Sequence, residues 1–222
     1  MHDDDLRSYV EEILHQQQLV GLAVQQLNAA LGANQISHVE CFAAAQAILT
    51  GAAQISKLLW ADTQRDWTPE RIAFARDRAA AIRAIAEPGK DSVLERRSVR
   101  NSIEHYDARI DDLKLRHGVR AVGEPRQTWT PDDKPTQHRG VVDIGIFDKS
   151  QLPIPIPPEN VTWVRHIDPV TMEYTALDQS VSLQAVVDAV VGVAARASEW
   201  LAARPIPTYT PGDFGDLSDV GL

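Results

Sequence analysis

The sequence predicts a mainly α-helical fold, a bundle of about five helices with a small β-rich insertion before the last helix. Apolar residues recur every three or four positions over much of the first 117 residues and again near the C-terminus. Between Gly118 and Leu177 this spacing is lost, prolines become frequent and short β-forming runs appear. With 222 residues, 44% of them hydrophobic and 24% charged, one domain can bury a full core without disulfides.

The first two helices follow from apolar periodicity. One is predicted from Leu6 to Leu31, with a single polar interruption at Gln17, and Gly32 ends it. The next is predicted from about His38 to Trp60, where small residues favour close helix contacts. Its side chains expected in the core are Val39, Phe42, Ile48, Leu49, Ile55, Leu58 and Leu59.

Capping residues predict where two further helices begin. Thr68 can cap free amides and Pro69 suits a first turn, so a third helix is predicted from there to about Ala86. After a break at Pro88 and Gly89, the run Ser92 to Glu95 matches a capping box. It predicts a fourth helix that reaches about His117.

The insertion is predicted over residues 118–177. A strand is expected at Val141–Phe147, and two more at Val161–Ile167 and Thr171–Leu177, joined at Asp168-Pro169 in a small sheet or hairpin. Ser182 can then cap a last helix, which returns to complete the bundle. The predicted units are therefore a bundle of residues 1–117 with 178–204, the insertion, and a C-terminal tail of residues 205–222.

Composition limits the classes of function. The chain has 22 basic and 31 acidic residues, and its formal charge of −9 opposes non-specific binding to polyphosphate, so any contact with nucleic acid must be local. The single cysteine, Cys41, is expected to be a small buried residue in a reducing compartment. The acidic start MHDDDLRS and the absence of a long apolar run predict a cytoplasmic protein without a membrane anchor.

The predicted fourth helix has a polar face. At about 100° per residue, one narrow arc of apolar side chains faces the core, formed by Val99, Ile103, Tyr106, Ile110 and Leu113. The opposite side presents Arg100, Asn101, Glu104 and His105 to solvent or to a partner subunit. This stretch is the candidate site.

Arg100 and His105 suit metal-free cleavage of RNA. A histidine can move a proton to or from a ribose hydroxyl near neutral pH, and a guanidinium offers paired donors to a phosphate. The plain alternative is an exposed ion pair between Arg100 and Glu104, one turn apart, worth about 0.3–0.5 kcal/mol. Asn101 can likewise be a simple hydrogen-bonding partner of His105.

The run Arg100-Asn101-Ser102-Ile103-Glu104-His105 resembles the motif of HEPN-domain ribonucleases, in which four to six residues lie between an arginine and a histidine. The polar Asn101 after the arginine strengthens the likeness. The resemblance implies a helical bundle, a homodimer with both motifs at one cleft, and cleavage by His105 and Arg100, supported by Asn101 and Glu104. It also implies a toxin or defence role, with an antitoxin partner. Some members of that family have lost cleavage and only bind, so the resemblance is equally compatible with an RNA-binding protein. The insertion is not part of the common bundle.

No other site is predicted. The remaining histidines and Cys41 form no ligand pattern, and no glycine-rich loop follows a strand, so we expect neither a metal nor a cofactor. The rival hypothesis is a non-catalytic helical module for dimerisation or protein interaction, in which Arg100, Asn101 and Glu104 form a polar contact and the insertion binds a partner. The excess of acidic over basic residues favours this rival hypothesis.

Overall fold

In the computed structural model, the described residues are 3–61, 63–64, 66–96, 140–146, 161–177 and 179–205. They form four α-helices, one 3-10 turn and one four-stranded sheet that directly precedes the last helix. The prediction of a mainly helical protein with a small sheet before the last helix is confirmed at this level.

The first two helices form a closely packed pair. Helix α1 spans Asp3–Leu31 and α2 spans His38–Leu59, and the Ser37 hydroxyl caps α2 by accepting from the Glu40 amide. Both predicted helices are confirmed. The expected burial of Val39 is wrong, since this side chain is 80% exposed. It is the second residue of α2 and precedes the first buried residues of that helix, Cys41 and Phe42.

Helix α3 spans Pro69–Ala86 and is capped as predicted, with the Thr68 hydroxyl accepting from the Arg71 amide. Hydrogen bonds from the Glu70 amide and from the Thr68 hydroxyl lower the pKa of the exposed Glu70 carboxyl. Two arginines of α3 donate to the last carbonyls of α2, Arg78 to Lys57 and Arg83 to Leu59. Cations at a helix C-terminus satisfy its free carbonyls, so these bonds fix α3 against α2.

The predicted fourth helix does not begin at Ser92. Val93–Glu95 form a single 3-10 turn, and Arg96 has the extended angles φ −67° and ψ 125°. In an α-helix the Leu94 carbonyl would accept from the amide four residues later. Here it accepts from the Ser56 hydroxyl at 2.5 Å, a bond from α2. The rest of the predicted helix, residues 97–117, lies outside the described residues.

The sheet contains β1 (Gly140–Ile146), β2 (Val161–Asp168), β3 (Glu173–Leu177) and β4 (Gln179–Ser182), in that spatial order. Strands β1 and β2 are parallel, and the other neighbours are antiparallel. The predicted turn after β2 is confirmed, since Asp168 Oδ1 accepts from the Val170 and Thr171 amides. Strand β4 was not predicted, because its four residues, Gln-Ser-Val-Ser, carry little β-forming signal.

The last helix, α4, spans Leu183–Ala202 and is capped by Ser182, as predicted. One continuous core joins all four helices to one face of the sheet, where Ile167, Tyr174 and Val181 are buried. The rings of Phe42 and Tyr174 meet edge to face at 6.2 Å. The end of α4 also returns to α1, since Arg7 donates to the Arg204 carbonyl at 2.8 Å.

Candidate functional site

The four predicted site residues, Arg100, Asn101, Glu104 and His105, lie outside the described residues. Their roles therefore stay predictions. The structure does describe the segment that leads to them, which ends at Arg96, four residues before Arg100. The features around this segment form the candidate site.

The segment is held in the core by Leu94. Its side chain is fully buried, and its carbonyl accepts the bond from Ser56, which is itself fully buried. The turn before it is closed by a bond from the Ser92 amide to the Gly89 carbonyl at 3.1 Å. Asp91 lies in this turn with φ 61°, a left-handed conformation that aspartate and asparagine adopt more readily than most residues. The Arg96 amide in turn donates to the Val93 carbonyl at 3.2 Å, so the backbone of Arg96 is joined to this anchored turn.

A cavity of about 360 Å³ lies between this segment, β4 and the start of α4, and we call it the β4 cavity. Its polar groups come from Asp91, Arg96, Ser180 and Ser182. Val93, Val181, Ala185 and Ala189 supply the apolar part of its described lining. One carboxylate, one guanidinium and two hydroxyls over an apolar surface make a lining suited to a small polar ligand.

A second cavity of about 350 Å³ lies between residues 87–92 and α4, and we call it the Gly192 cavity. Gly192 lines it, and a Cβ added there would meet nothing within 4 Å. Its cation, Arg196, lies 3.7 Å from a Glu87 oxygen and 3.0 Å from a Glu199 oxygen. Asp188 adds another carboxylate to the lining. The Gly192 cavity is therefore predominantly acidic.

The sheet face turned away from the helices carries a polar row. In register across the strands lie His166 of β2, Thr175 of β3 and Ser180 of β4. His166 and Thr175 are buried, and the Thr175 and Ser180 hydroxyl oxygens are 2.9 Å apart. The sequence placed His166 in a strand but assigned it to packing. Ser180 also lines the β4 cavity, so the row ends at that cavity.

Among the described residues, no group of three or more histidine, cysteine, aspartate or glutamate side chains could hold a metal ion. No helix in the described part of the chain is long and apolar enough to cross a membrane.

Comparisons with known proteins give no relative. No protein-family model, no curated protein and no solved structure matches this chain. The resemblance to HEPN-domain ribonucleases therefore depends on the residues of the motif itself.

The sequence did not indicate the β4 cavity. Asp91 and Arg96 come from one short segment, a turn followed by a 3-10 turn, whereas Ser180 comes from an unpredicted strand about 80 residues later. The only local signal was the break at Pro88-Gly89, which predicts a turn near Asp91. A cavity formed by distant segments cannot be inferred from periodicity.

Proposed function

We propose that this protein cleaves RNA without a metal, with His105 transferring protons and Arg100 stabilising the phosphate. The observation that supports this is the run Arg100-Asn101-Ser102-Ile103-Glu104-His105, which matches the HEPN ribonuclease motif in residue type and spacing. The proposal includes a homodimer that brings two motifs together, an antitoxin partner and a role as a toxin or defence component.

The chemistry needs only side chains of the motif. A base removes the proton of the ribose 2′-hydroxyl, and the oxygen attacks the adjacent phosphorus. The bond from phosphorus to the 5′-oxygen breaks, and an acid returns a proton to that oxygen. The products are a 2′,3′-cyclic phosphate and a 5′-hydroxyl end. A histidine can serve as the acid or base, and a guanidinium can stabilise charge that develops on the phosphoryl oxygens.

Local charge near the motif favours contact with RNA despite the net charge of −9. Three arginines, Arg96, Arg97 and Arg100, lie within five consecutive positions, and no acidic residue interrupts them. Arg96 is exposed at the rim of the β4 cavity. Three basic residues so close in the sequence concentrate positive charge beside the motif, which favours binding to phosphate.

The test is cleavage of labelled tRNA and total RNA by the purified protein in EDTA. We expect the wild type to cleave, and Arg100→Ala and His105→Ala to lose about a hundredfold or more of the rate, as for loss of an acid-base or charge-stabilising group. The matched controls are Arg76→Ala and His15→Ala, which change exposed residues of α3 and α1 and should retain full activity. Full activity of folded His105→Ala would remove His105 from the mechanism.

A second candidate, the non-catalytic interaction module, is favoured by apolar exposure on α1. Leu19 and Leu22 are one turn apart and 43% and 56% exposed. Exposed apolar side chains grouped on one helix face are typical of protein contacts. If the wild type cleaves no RNA and Arg100→Ala changes its sedimentation, this module becomes the better proposal.

A further inference from the structure

We propose that the β4 cavity binds one nucleobase of the RNA, close to the cleaved phosphate, and that Asp91 selects guanine there. This inference rests on the proposed function, because it assigns a substrate class to the surroundings of the same motif. It concerns residues 91–96, β4 and the start of α4, all of them described.

Covalent geometry places the cavity near the motif. Arg96 lines the cavity, and Arg100 follows it by four residues. Four residues of fully extended chain span at most about 14 Å, so the two Cα atoms can be no farther apart than that. An RNA strand held by Arg100 therefore has its next few nucleotides within reach of the β4 cavity.

The size and lining of the cavity suit one nucleobase. Its volume of about 360 Å³ is at the lower end for small-molecule sites, which run from about 300 to 1,000 Å³. The side chains of Val181, Ala185 and Ala189 can contact the flat face of a base. Arg96 can donate to a phosphate or lie against the base plane, as guanidinium groups do in RNA recognition.

Asp91 gives the cavity its selectivity. An ionised carboxylate only accepts hydrogen bonds, through two oxygens. On the Watson–Crick edge, which proteins read in single-stranded RNA, guanine presents two adjacent donors, N1–H and the N2 amino group. Adenine, cytosine and uracil each present a single donor position beside at least one acceptor, which would oppose the carboxylate. Guanine is therefore the base that pairs with both Asp91 oxygens.

The Gly192 cavity is a poorer place for RNA, although it lies beside the same segment. Its lining includes Glu87 and Asp188, and its arginine is already close to the carboxylates of Glu87 and Glu199. Negative charge of this kind repels the phosphates that flank a base. The two cavities thus differ in charge, and only the β4 cavity has a cation beside the path to the motif.

The test uses two variants of the cavity and one matched control in full-length protein. Ala185→Phe fills the β4 cavity from α4, and Asp91→Asn removes the carboxylate while keeping a residue that tolerates a φ of 61°. Ala195→Phe makes the same change at another exposed position of α4 that is not among the described lining of either cavity. Cut sites are sequenced after digestion of a random-sequence RNA pool, and binding of guanosine 5′-monophosphate is measured by calorimetry beside the other three nucleotides.

We expect guanine to be enriched at a fixed position beside the cut in the wild type and in Ala195→Phe. In Ala185→Phe and Asp91→Asn the enrichment and the affinity for guanosine monophosphate should fall about tenfold, as for loss of a bidentate base contact. If the wild type cleaves and both cavity variants keep the same cut pattern and nucleotide affinity, the inference is overturned while the proposed function stands.

Failure of the cleavage proposal can be distinguished from failure of the base site. If the wild type cleaves no RNA but binds guanosine monophosphate, and the two cavity variants weaken that binding, the cleavage proposal fails and the base site is supported. Equal binding of all four nucleotides, or binding of none, overturns the choice of guanine whatever the cleavage result.

Discussion

Cys41 lies in α2 with a fully buried side chain. Burial raises the pKa of its thiol, and the negative charge of the neighbouring Glu40 adds to the shift. Because the thiolate is the reactive form, both effects lower the reactivity of this residue at neutral pH.

We predict that Cys41 reacts with a disulfide reagent about a hundredfold or more slowly in the native protein than in urea, because reaction requires opening of the core.

The raised pKa of Cys41 also makes the free energy of unfolding depend on pH. The folded state holds the proton more tightly, so this contribution is present below the unfolded pKa of about 8.5 and is lost as pH rises past it. Urea unfolding of wild type and Cys41→Ala, each at about pH 7 and 9.5, checks this. The wild type should lose more stability between the two pH values than Cys41→Ala does, and an equal loss in the two proteins would contradict the prediction.

Ser56 and Leu94 show what a local pattern cannot reveal. Ser92 does cap the turn, since its hydroxyl accepts from the Leu94 amide at 3.3 Å. The capping signal was therefore correct, but it did not determine the helix that should follow. The hydroxyl that bonds the Leu94 carbonyl comes from Ser56, 38 residues earlier. A donor at that separation is visible only in the folded chain.

At the scale of elements, α1 and α2 owe their close approach to Gly51. A Cβ built there would lie 2.6 Å from Val20 Cγ2 and 3.4 Å from the Gln16 carbonyl oxygen. A β-branched side chain in a helix has little rotamer freedom, so Val20 cannot turn away. The prediction of close helix contacts through small residues is explained by this position.

We predict that Gly51→Ala lowers the free energy of unfolding by about 1–3 kcal/mol, the usual cost of overpacking a core. The matched control is Gly21→Ala in α1, where an added Cβ meets nothing within 4 Å. There we expect a gain of up to about 1 kcal/mol, since alanine is the better helix former. Urea denaturation measures both. Val20→Ala should cost less stability in the Gly51→Ala background than in the wild type, because it removes the methyl that the new Cβ would meet. An equal cost in both backgrounds would argue against the contact.

The elements that the sequence predicted well are those with long periodic patterns or clear caps. Helices α1, α2, α3 and α4 begin and end within a few residues of their predicted bounds, because apolar spacing and the caps at Thr68 and Ser182 act locally. Strand β4 is too short and polar for such a signal. The same holds for the candidate site. Arg100 and His105 belong to one short motif that the sequence shows directly, whereas Asp91 and Ser180 come to line one cavity only through the fold.

At the scale of the whole molecule, helices and sheet share one core. Tyr174 of β3 is 2% exposed, and its ring packs against Phe42 of α2. No loop separates the sheet from α4, since β4 ends at Ser182 and α4 begins at Leu183. The division into a bundle and an insertion of residues 118–177 stays a prediction about the chain. The shared core indicates that the sheet and the helices depend on each other for stability.

We therefore predict that the sheet and the helices unfold in one transition. Tyr174→Ala should lower the free energy of unfolding by about 3–5 kcal/mol, as for other buried aromatic side chains. Circular dichroism and hydrogen exchange in peptides from α2 and from β2 and β3 should report the same loss. Val170→Ala, at a 72% exposed position in the turn between β2 and β3, is the control and should change little. If the variant loses protection in the sheet alone, the sheet is a separate folding unit, because a shared core would transmit the cavity left by Tyr174 to α2 as well.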